Sequence, residues 1–458
     1  MKVMKFGGSS LADSERIKQT VQIISDVEEP VSIILSAMKG VTNLLIDAAE
    51  KAEEGNEEYK QNITTIKETH LKCISELFGE NIPDVLLSGI DKKLSELKDI
   101  LHGVELVQEC SLKTKDIVMS FGERLNCYQF TFYMNYLKKP ASYIDARTFI
   151  KTDSNYGKGS VNFQKSYKLI NEKIESIGNT IGIITGFISS DSDNRTTTLG
   201  RNGSDYTASL IGAALDADVV EIWTDVDGVL TADPRIVENA FVIPQLSIQE
   251  AMELSYFGAE VIHPYTLIPT IDKKIPVYIK NTLNPTAKGT LITDKSSEKD
   301  RIITGLASID NVSLINIEGG GMVGMPGIAS LIFNSLAEAD VNIIMITQAS
   351  SEHSISILCR TEEVALAKQK LKKNLDLAIQ SRKIQNIEVV DDLVIIAVIG
   401  EKMIGQIGLT GDLFSTVGKA NLNIFAIAQG SSERNISFVI HKDDKNLALN
   451  EIHKRFIG

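Results

Sequence analysis

A chain of 458 residues, 43% of them hydrophobic, can bury a sizeable core and, at roughly 150 residues per domain, form two or three domains. Its 47 basic and 60 acidic residues leave a net charge of −13, a field that repels polyanions and excludes nucleic acid as a partner, although a local nest of backbone N–H groups still accommodates a phosphate. Cys73, Cys110, Cys127 and Cys359 form no C-x-x-C pair and no run approaches the ~18 apolar residues of a membrane span, so the expectation is a soluble, cytoplasmic protein with buried free thiols and no metal-ligand set.

In chain order, β-rich runs at Lys2–Phe6, Val31–Ser36, Gly182–Thr185, Val219–Trp223 and Pro276–Ile279 alternate with helical stretches, the pattern of a layered α/β domain with a mainly parallel sheet. Between the second and third runs, Leu44 to Leu112 carries apolar residues at helical spacing with few Gly or Pro and predicts several packed helices. The turn-rich Asn284–Gly289 and the polar Asp294–Arg301 mark a boundary, giving a first domain over 1–295 and a second region over 296–458. That region repeats itself: Asn342–Ser356 aligns with Asn423–Ser437 at an offset of 81 residues with nine identities in fifteen, and the same offset pairs Met322 with Met403, Gly327 with Gly408 and Phe333 with Phe414. Two units, about 310–385 and 390–458, each read β-α-β-β-α, a ferredoxin-like plan.

Three motifs carry chemistry. Lys5-Phe6-Gly7-Gly8-Ser9-Ser10 leaves a strand and enters a helical pattern. Its glycines admit a phosphate close to the backbone, and Lys5 supplies a point charge, whereas a plain strand-to-helix turn explains the same string equally well. Thr198–Thr207 is a glycine-broken loop feeding a small-residue helix. Arg201 offers a fork for a carboxylate, Ser204 can donate to the same group, and Asp205 can orient Lys5; helix capping explains one of these residues and leaves Arg201 and both glycines unexplained. Glu221–Leu230, followed by Asp233-Pro234-Arg235, ends a strand where ligands bind in open α/β sheets, although an Asx-rich turn is the alternative.

Together these motifs closely resemble the amino-acid kinase superfamily, and in detail its aspartokinases. The resemblance also rests on Leu35–Asn43, Ser120–Leu125, Gly186-Phe187, Met252–Ala259 and Ile279–Thr282, and the C-terminal repeat resembles that family's paired ACT domains. The wording is similar to the kinase half of bifunctional aspartokinase–homoserine dehydrogenases, with the chain stopping where the dehydrogenase would begin. The resemblance implies a three-layer αβα kinase domain followed by two ferredoxin-like (βαββαβ) ACT domains, and ATP-dependent phosphorylation of the L-aspartate side-chain carboxylate with Mg2+. It also implies feedback by an end-product amino acid, and a homodimer or homotetramer assembled through the ACT domains. Carried residue by residue, it gives aspartate to Ser36, Thr42, Glu123, Phe187, Arg201 and Ser204. It gives the nucleotide to Lys5, Gly7, Gly8, Thr224, Asp225, Leu230, Arg235 and Glu260, and catalysis to Lys5 and Asp205.

Glu260 stands where the family commonly has Lys, and Leu230 where it usually has Tyr near the adenosine. The run Gly319–Gly324 satisfies G-x-G-x-x-G but lacks the βαβ continuation of a dinucleotide site, and its copy puts Glu401 and Lys402 over two of the glycines. His263 reads as structural rather than catalytic. The effector is expected in the first repeat, on Met322, Gly324, Gly327, Asn342, Ile344 and Gln348, with threonine favoured over lysine because Ile344 offers an ammonium no counter-charge, although Glu352 or Asp340 could supply one and the alternative is that these residues only pair two ACT units. The competing functions are another amino-acid kinase, of the acetylglutamate or glutamate type, and a non-catalytic amino-acid sensor.

Overall fold

The structure, a computed structural model, describes residues 1–258, 264–294, 301–322, 327–348 and 353–458. It divides into two compact units, Met1–Val229 with Val242–Ala251 and Glu260–Ser297, and Leu230–Phe241 with Met252–Ala259 and Glu298–Gly458. The chain thus crosses between units more often than a single boundary near residue 295 implies. Segment 230–241 joins the second unit because its apolar side chains find their partners there: Ala232 and Val237 pack with Ile303, Val394 and Phe438, and Thr231 Oγ1 lies 2.9 Å from His453 Nε2.

The strands of the first unit are β1 (Lys2–Phe6), β2 (Val31–Leu35), β3 (Ala141–Ile144), β4 (Ile181–Thr185), β5 (Ile188–Ser190), β6 (Thr196–Thr198), β7 (Val219–Thr224), β8 (Gln245–Ser247), β9 (Val277–Asn281) and β10 (Thr290–Thr293). Its helices are α1 (Ser14–Ser25), α2 (Val41–Glu53), α3 (Tyr59–Phe78), α4 (Asp84–Val107), α5 (Leu112–Met119), α6 (Phe121–Tyr136), α7 (Phe163–Ser176), α8 (Gly203–Ala214), α9 (Ile248–Tyr256), which belongs to the second unit from Met252 on, and α10 (Ile268–Lys273). The main sheet runs β3-β4-β2-β1-β7-β9-β10-β8 and is parallel except where β10 meets β9, while β5 and β6 form a separate hairpin. Strand β1 has parallel neighbours on both sides, Lys5 standing level with Ile34 of β2 and Ile222 of β7. A strand covered on both faces reads as a continuous apolar run, and β1 is buried from Val3 to Phe6. Met4 and Phe6 pack into one core with α1 to α6, and α8 with its neighbours α7 and α10 covers the opposite face. No described helix is long and apolar enough to cross a membrane, and all four cysteines are free and buried.

In the second unit lie β11 (Gly305–Glu318), α11 (Ile328–Ala337), β12 (Met345–Gln348), β13 (Ser354–Arg360), α12 (Val364–Asn374), α13 (Asp376–Gln380), β14 (Asn386–Ile399), α14 (Leu409–Lys419), β15 (Ala426–Gln429), β16 (Asn435–His441) and α15 (Lys445–Phe456). The 81-residue offset recurs in the elements themselves: β14 starts at 386 against β11 at 305, and α14 at 409 against α11 at 328. The strands form one antiparallel sheet, β12-β13-β11-β14-β16-β15. Each repeat contributes β-α-β-β-α; the place a fourth strand of a βαββαβ unit would take beside β11 or β14 is filled by the other repeat's first strand. Gly319 and Gly321 of the G-x-G-x-x-G run have a packing role, since a Cβ at Gly319 would lie 2.1 Å from Lys383 O and one at Gly321 2.7 Å from Lys383 Cα.

Inside the first core, His70 of α3 is fully buried, its Nδ1 2.9 Å from Gln129 Oε1 and its Nε2 without a partner among the described residues. Gln129 in turn donates to Asn126, whose amide donates to Ser36 O at 2.7 Å. Burial lowers the His70 pKa to about 4 despite the opposing hydrogen bond to the Gln129 amide oxygen. The unfolded chain therefore binds a proton that the folded chain refuses between pH 6.5 and about 4, and stability present above that window is lost as pH falls through it. Denaturant titrations should show about 3 kcal/mol of loss across this window attributable to His70, and His70→Gln should flatten that part of the profile.

Candidate functional site

The carboxyl ends of β1, β2 and β4 and the starts of α2 and α8 enclose a cleft of about 630 Å3. β1 ends in Lys5, Phe6 and then Gly7-Gly8, and the absence of a side chain at Gly8 matters, since a Cβ there would meet Ala37 O at 3.1 Å. Lys5 is 9% exposed, and its ammonium sits 2.6 Å from Asp205 Oδ1 in the first turn of α8. The loop before α8 reaches this position through left-handed residues, Gly200 at φ +77° and Asn202 at φ +55°, leaving Arg201 exposed at the rim. Ser204 is admitted by Gly186, whose Cβ would lie 2.6 Å from Ser204 Oγ, and Phe187 adopts φ +68° with its N–H on Thr207 Oγ1. A bulky residue in that region is strained, and such strain gathers at ligand sites.

Glu123, in the first turn of α6, lines the same cleft at 3% exposure. One carboxylate oxygen accepts from Ala37 N at 3.2 Å, whereas Oε2 is buried with no partner among the described residues. Burial raises its pKa to about 8, only partly offset by the Ala37 N–H and by the Lys5 charge. An orphaned carboxylate oxygen beside a cleft is a receptor for a cationic donor. Thr42 and Ser36 line the cleft as well, as do the first residues of α2 and α8, and helix N-termini favour negative charge.

Of the residues singled out in the sequence, Lys5, Gly8, Ser36, Thr42, Glu123, Phe187, Arg201, Ser204 and Asp205 thus share one cleft. Gly7 lies next to it, its N–H on Trp223 O, with Thr224 and Asp225 following at the end of β7. Leu230 and Arg235 belong to the second unit, and the Arg235 guanidinium is bound to Asp233 at 2.7 Å. Glu260, His263 and Gly324 lie outside the described residues. Met119 and Gly157 also line the cleft and were not anticipated, since nothing in the local sequence sets them apart. No group of three potential metal ligands occurs among the described residues.

In the second unit, Met322 is buried, Gly327 begins α11 at φ +92°, and Asn342 and Gln348 are exposed. Ile344 is half-buried, and its carbonyl accepts from Tyr256 at 3.0 Å. The second repeat holds a cleft of about 290 Å3 lined by Met403, Gly405, Gln429 and Glu433 among others, with Glu433 Oε2 2.7 Å from the Gly405 N–H.

The amino acid kinase family matches residues 1–281, and the ACT domain matches 315–375 and 396–456. The chain belongs to the amino acid kinase family. Within it, 99% of the chain is 36% identical to the Arabidopsis thaliana protein named bifunctional aspartokinase/homoserine dehydrogenase 2, chloroplastic, over 50% of that protein, and 34% identical to A. thaliana aspartokinase 1, chloroplastic, over 80% of it. The chain spans about half the length of the bifunctional relatives it matches. E. coli aspartokinase III in complex with aspartate and ADP superimposes with a TM-score of 0.85 at 29% identity over all of both chains, and its complex with lysine and aspartate does so at 0.83. As a kinase-family chain, this protein has its cleft where the family fold puts the carboxyl ends of the central strands.

Proposed function

We propose that this chain transfers the γ-phosphoryl group of ATP to the side-chain carboxylate of L-aspartate, giving ADP and 4-phospho-L-aspartate. The observation that carries the reading is the cleft itself, which combines an orphaned carboxylate oxygen on Glu123, an arginine at the rim and a lysine ammonium fixed by Asp205. An amino acid with a second carboxylate offers one ammonium for Glu123, one carboxylate for Arg201 and Ser204, and a free carboxylate to face Lys5. The relatives named aspartokinase, and the structure solved with aspartate and ADP, support the same substrates.

The β-carboxylate is an anion at neutral pH, so an oxygen lone pair attacks phosphorus without prior proton removal while the bond from phosphorus to the ADP oxygen breaks. Lys5 and the helix N-termini neutralise charge spread over the phosphoryl oxygens, and Asp205 keeps Lys5 from swinging away. Mg2+ bound with the nucleotide would neutralise phosphate charge beside Lys5. Trapping the acyl phosphate with hydroxylamine, with aspartate, glutamate and N-acetylglutamate offered in parallel, tests the reading; product from either competitor alone assigns a different kinase, and no product from any leaves a sensor. Lys5→Ala should lower kcat by roughly 10²–10³ with the fold retained.

Glu123 makes aspartate binding pH-dependent. Its raised pKa keeps the carboxyl protonated below about 8, and a bound ammonium favours the ionised form, so aspartate binding releases a proton. The apparent affinity for aspartate should rise up to about tenfold per pH unit toward pH 8 and level off above it. In Glu123→Gln the affinity should be lower and this rise absent.

The ACT region is the regulatory element in this reading, with the effector in the first repeat between the segment from Met322 to Gly327 and the segment holding Ile344 and Gln348. In the second repeat the Gly405 N–H donates to a carboxylate oxygen of Glu433, and the 81-residue offset sets Gly405 against Gly324, which supports an amino-acid carboxylate as the ligand at Gly324. The aliphatic Ile344 favours threonine, with an uncharged side chain, over lysine. Exposed Ile346 and Ile427, at matching places on the edge strands β12 and β15, suit self-association into a homodimer or homotetramer. Inhibition assays should show threonine as the stronger inhibitor. Lysine acting alone would reverse that assignment, and a monomer by light scattering at micromolar concentration would remove the assembly.

A further inference from the structure

Asp116, on α5, is fully buried and belongs to none of the groups assigned above. Its Oδ2 accepts from Gly157 N at 2.9 Å and Thr198 N at 3.1 Å, and its Oδ1 accepts from Thr198 Oγ1 at 2.7 Å. One carboxylate thereby joins segments 41 and 82 residues away, and both Gly157 and Thr198 line the cleft. Thr198 ends β6 three residues before Arg201, and Leu199 N continues the anchorage onto Phe187 O at 2.9 Å. Gly159 N bonds Thr198 O at 2.9 Å, and a Cβ on Gly200 would stand 3.3 Å from Gly157 O, so the 153–160 loop and the arginine loop are pressed together.

Two other carboxylates stiffen the same loop. Asp153 Oδ1 accepts from Asn155 N and Ser160 N, and Asp191 Oδ2 accepts from Ser154 Oγ and Tyr156 OH. Each binds the 153–160 loop, whereas Asp116 binds that loop and the base of the arginine loop together. A buried carboxylate costs desolvation, which raises the Asp116 pKa and which its three donors offset only in part; removing it strands two N–H groups in the interior.

We infer that Asp116 is a positioning residue for the amino-acid substrate: it fixes the base of the Arg201 loop against the 153–160 loop and so sets where the substrate carboxylate is held. The inference rests on the aspartate-kinase reading for its substrate. Asp116→Ala should lower kcat/KM for aspartate by about ten- to a hundred-fold, mainly through KM, and change KM for ATP by less than about threefold. Asp116→Asn should recover most of the loss, because its amide oxygen still accepts from both N–H groups while its NH2 donates to Thr198 Oγ1. A role confined to holding the fold together would lower the active fraction and thus kcat, leave both KM values unchanged, and overturn the inference.

Amide hydrogen exchange on the same variants needs no substrate and separates the two readings. Faster exchange in Asp116→Ala confined to 153–160 and 196–203 supports the positioning role even where wild-type protein fails to phosphorylate aspartate. Unchanged exchange in both segments refutes it whatever the substrate. Should the alanine variant fail to fold, Thr198→Val, which removes the hydroxyl donor alone, should give a smaller rise in KM for aspartate; no rise there refutes the inference.

Discussion

A lysine ammonium and an aspartate carboxylate stand 2.6 Å apart at the end of a central strand, each less than a tenth exposed, and much of the first unit is arranged to make that possible. Withdrawing such a pair from water costs several kcal/mol per ion, and apolar packing often serves stability as well or better. What the pair contributes is a charge of fixed position. Lys5 can be so placed because β1 lies between two parallel neighbours, with a helix-bearing core on each face, and because Gly8 leaves space where a side chain would crowd Ala37. Asp205 can be so placed because two left-handed residues, Gly200 and Asn202, turn the chain into α8 directly over the strand end.

Around this pair the cleft is unfinished in a way that defines its ligand. Glu123 holds one oxygen against Ala37 N and leaves the other buried and unanswered, while its burial keeps the group protonated until a cation arrives. The walls are loops from distant stretches of chain, and buried carboxylates hold them rigid. Loops carry function when a scaffold fixes them, and here the scaffold includes Asp116 of α5 as well as the sheet.

The second unit follows another logic, duplication. Each repeat has too few strands to close its own sheet, and the pairing of β11 with β14 completes both. The Gly319 turn and its counterpart at Gly400 each pass against backbone from a neighbouring segment, at Lys383 and Ile302 respectively, so these glycines answer a requirement of close approach. A phosphate-binding pattern and a packing requirement produce the same letters there, and the copy, which keeps Gly400 but replaces the next two glycines, separates them.

Sequence alone determined the class of both regions. β-rich apolar runs, helical spacing across 44–112 and the 81-residue repeat are local signals, and most of the strands they marked recur within a residue or two. The hairpin of β5 and β6 and the short β3, β8 and β10 were not legible, being three or four residues long with no distinct pattern. The motifs around Lys5, Glu123 and Arg201 were visible because each packs several unusual residues into a short string. Asp116 was not, since its meaning lies in donors 41 and 82 residues away. Nor did any local boundary signal show that 230–241 packs with the C-terminal unit, where Ala232 and Val237 find their core. Patterning along the chain sets which surfaces must be buried; which partner buries them, and which polar atom is left unanswered in a cleft, is decided only when distant segments compete for the same space.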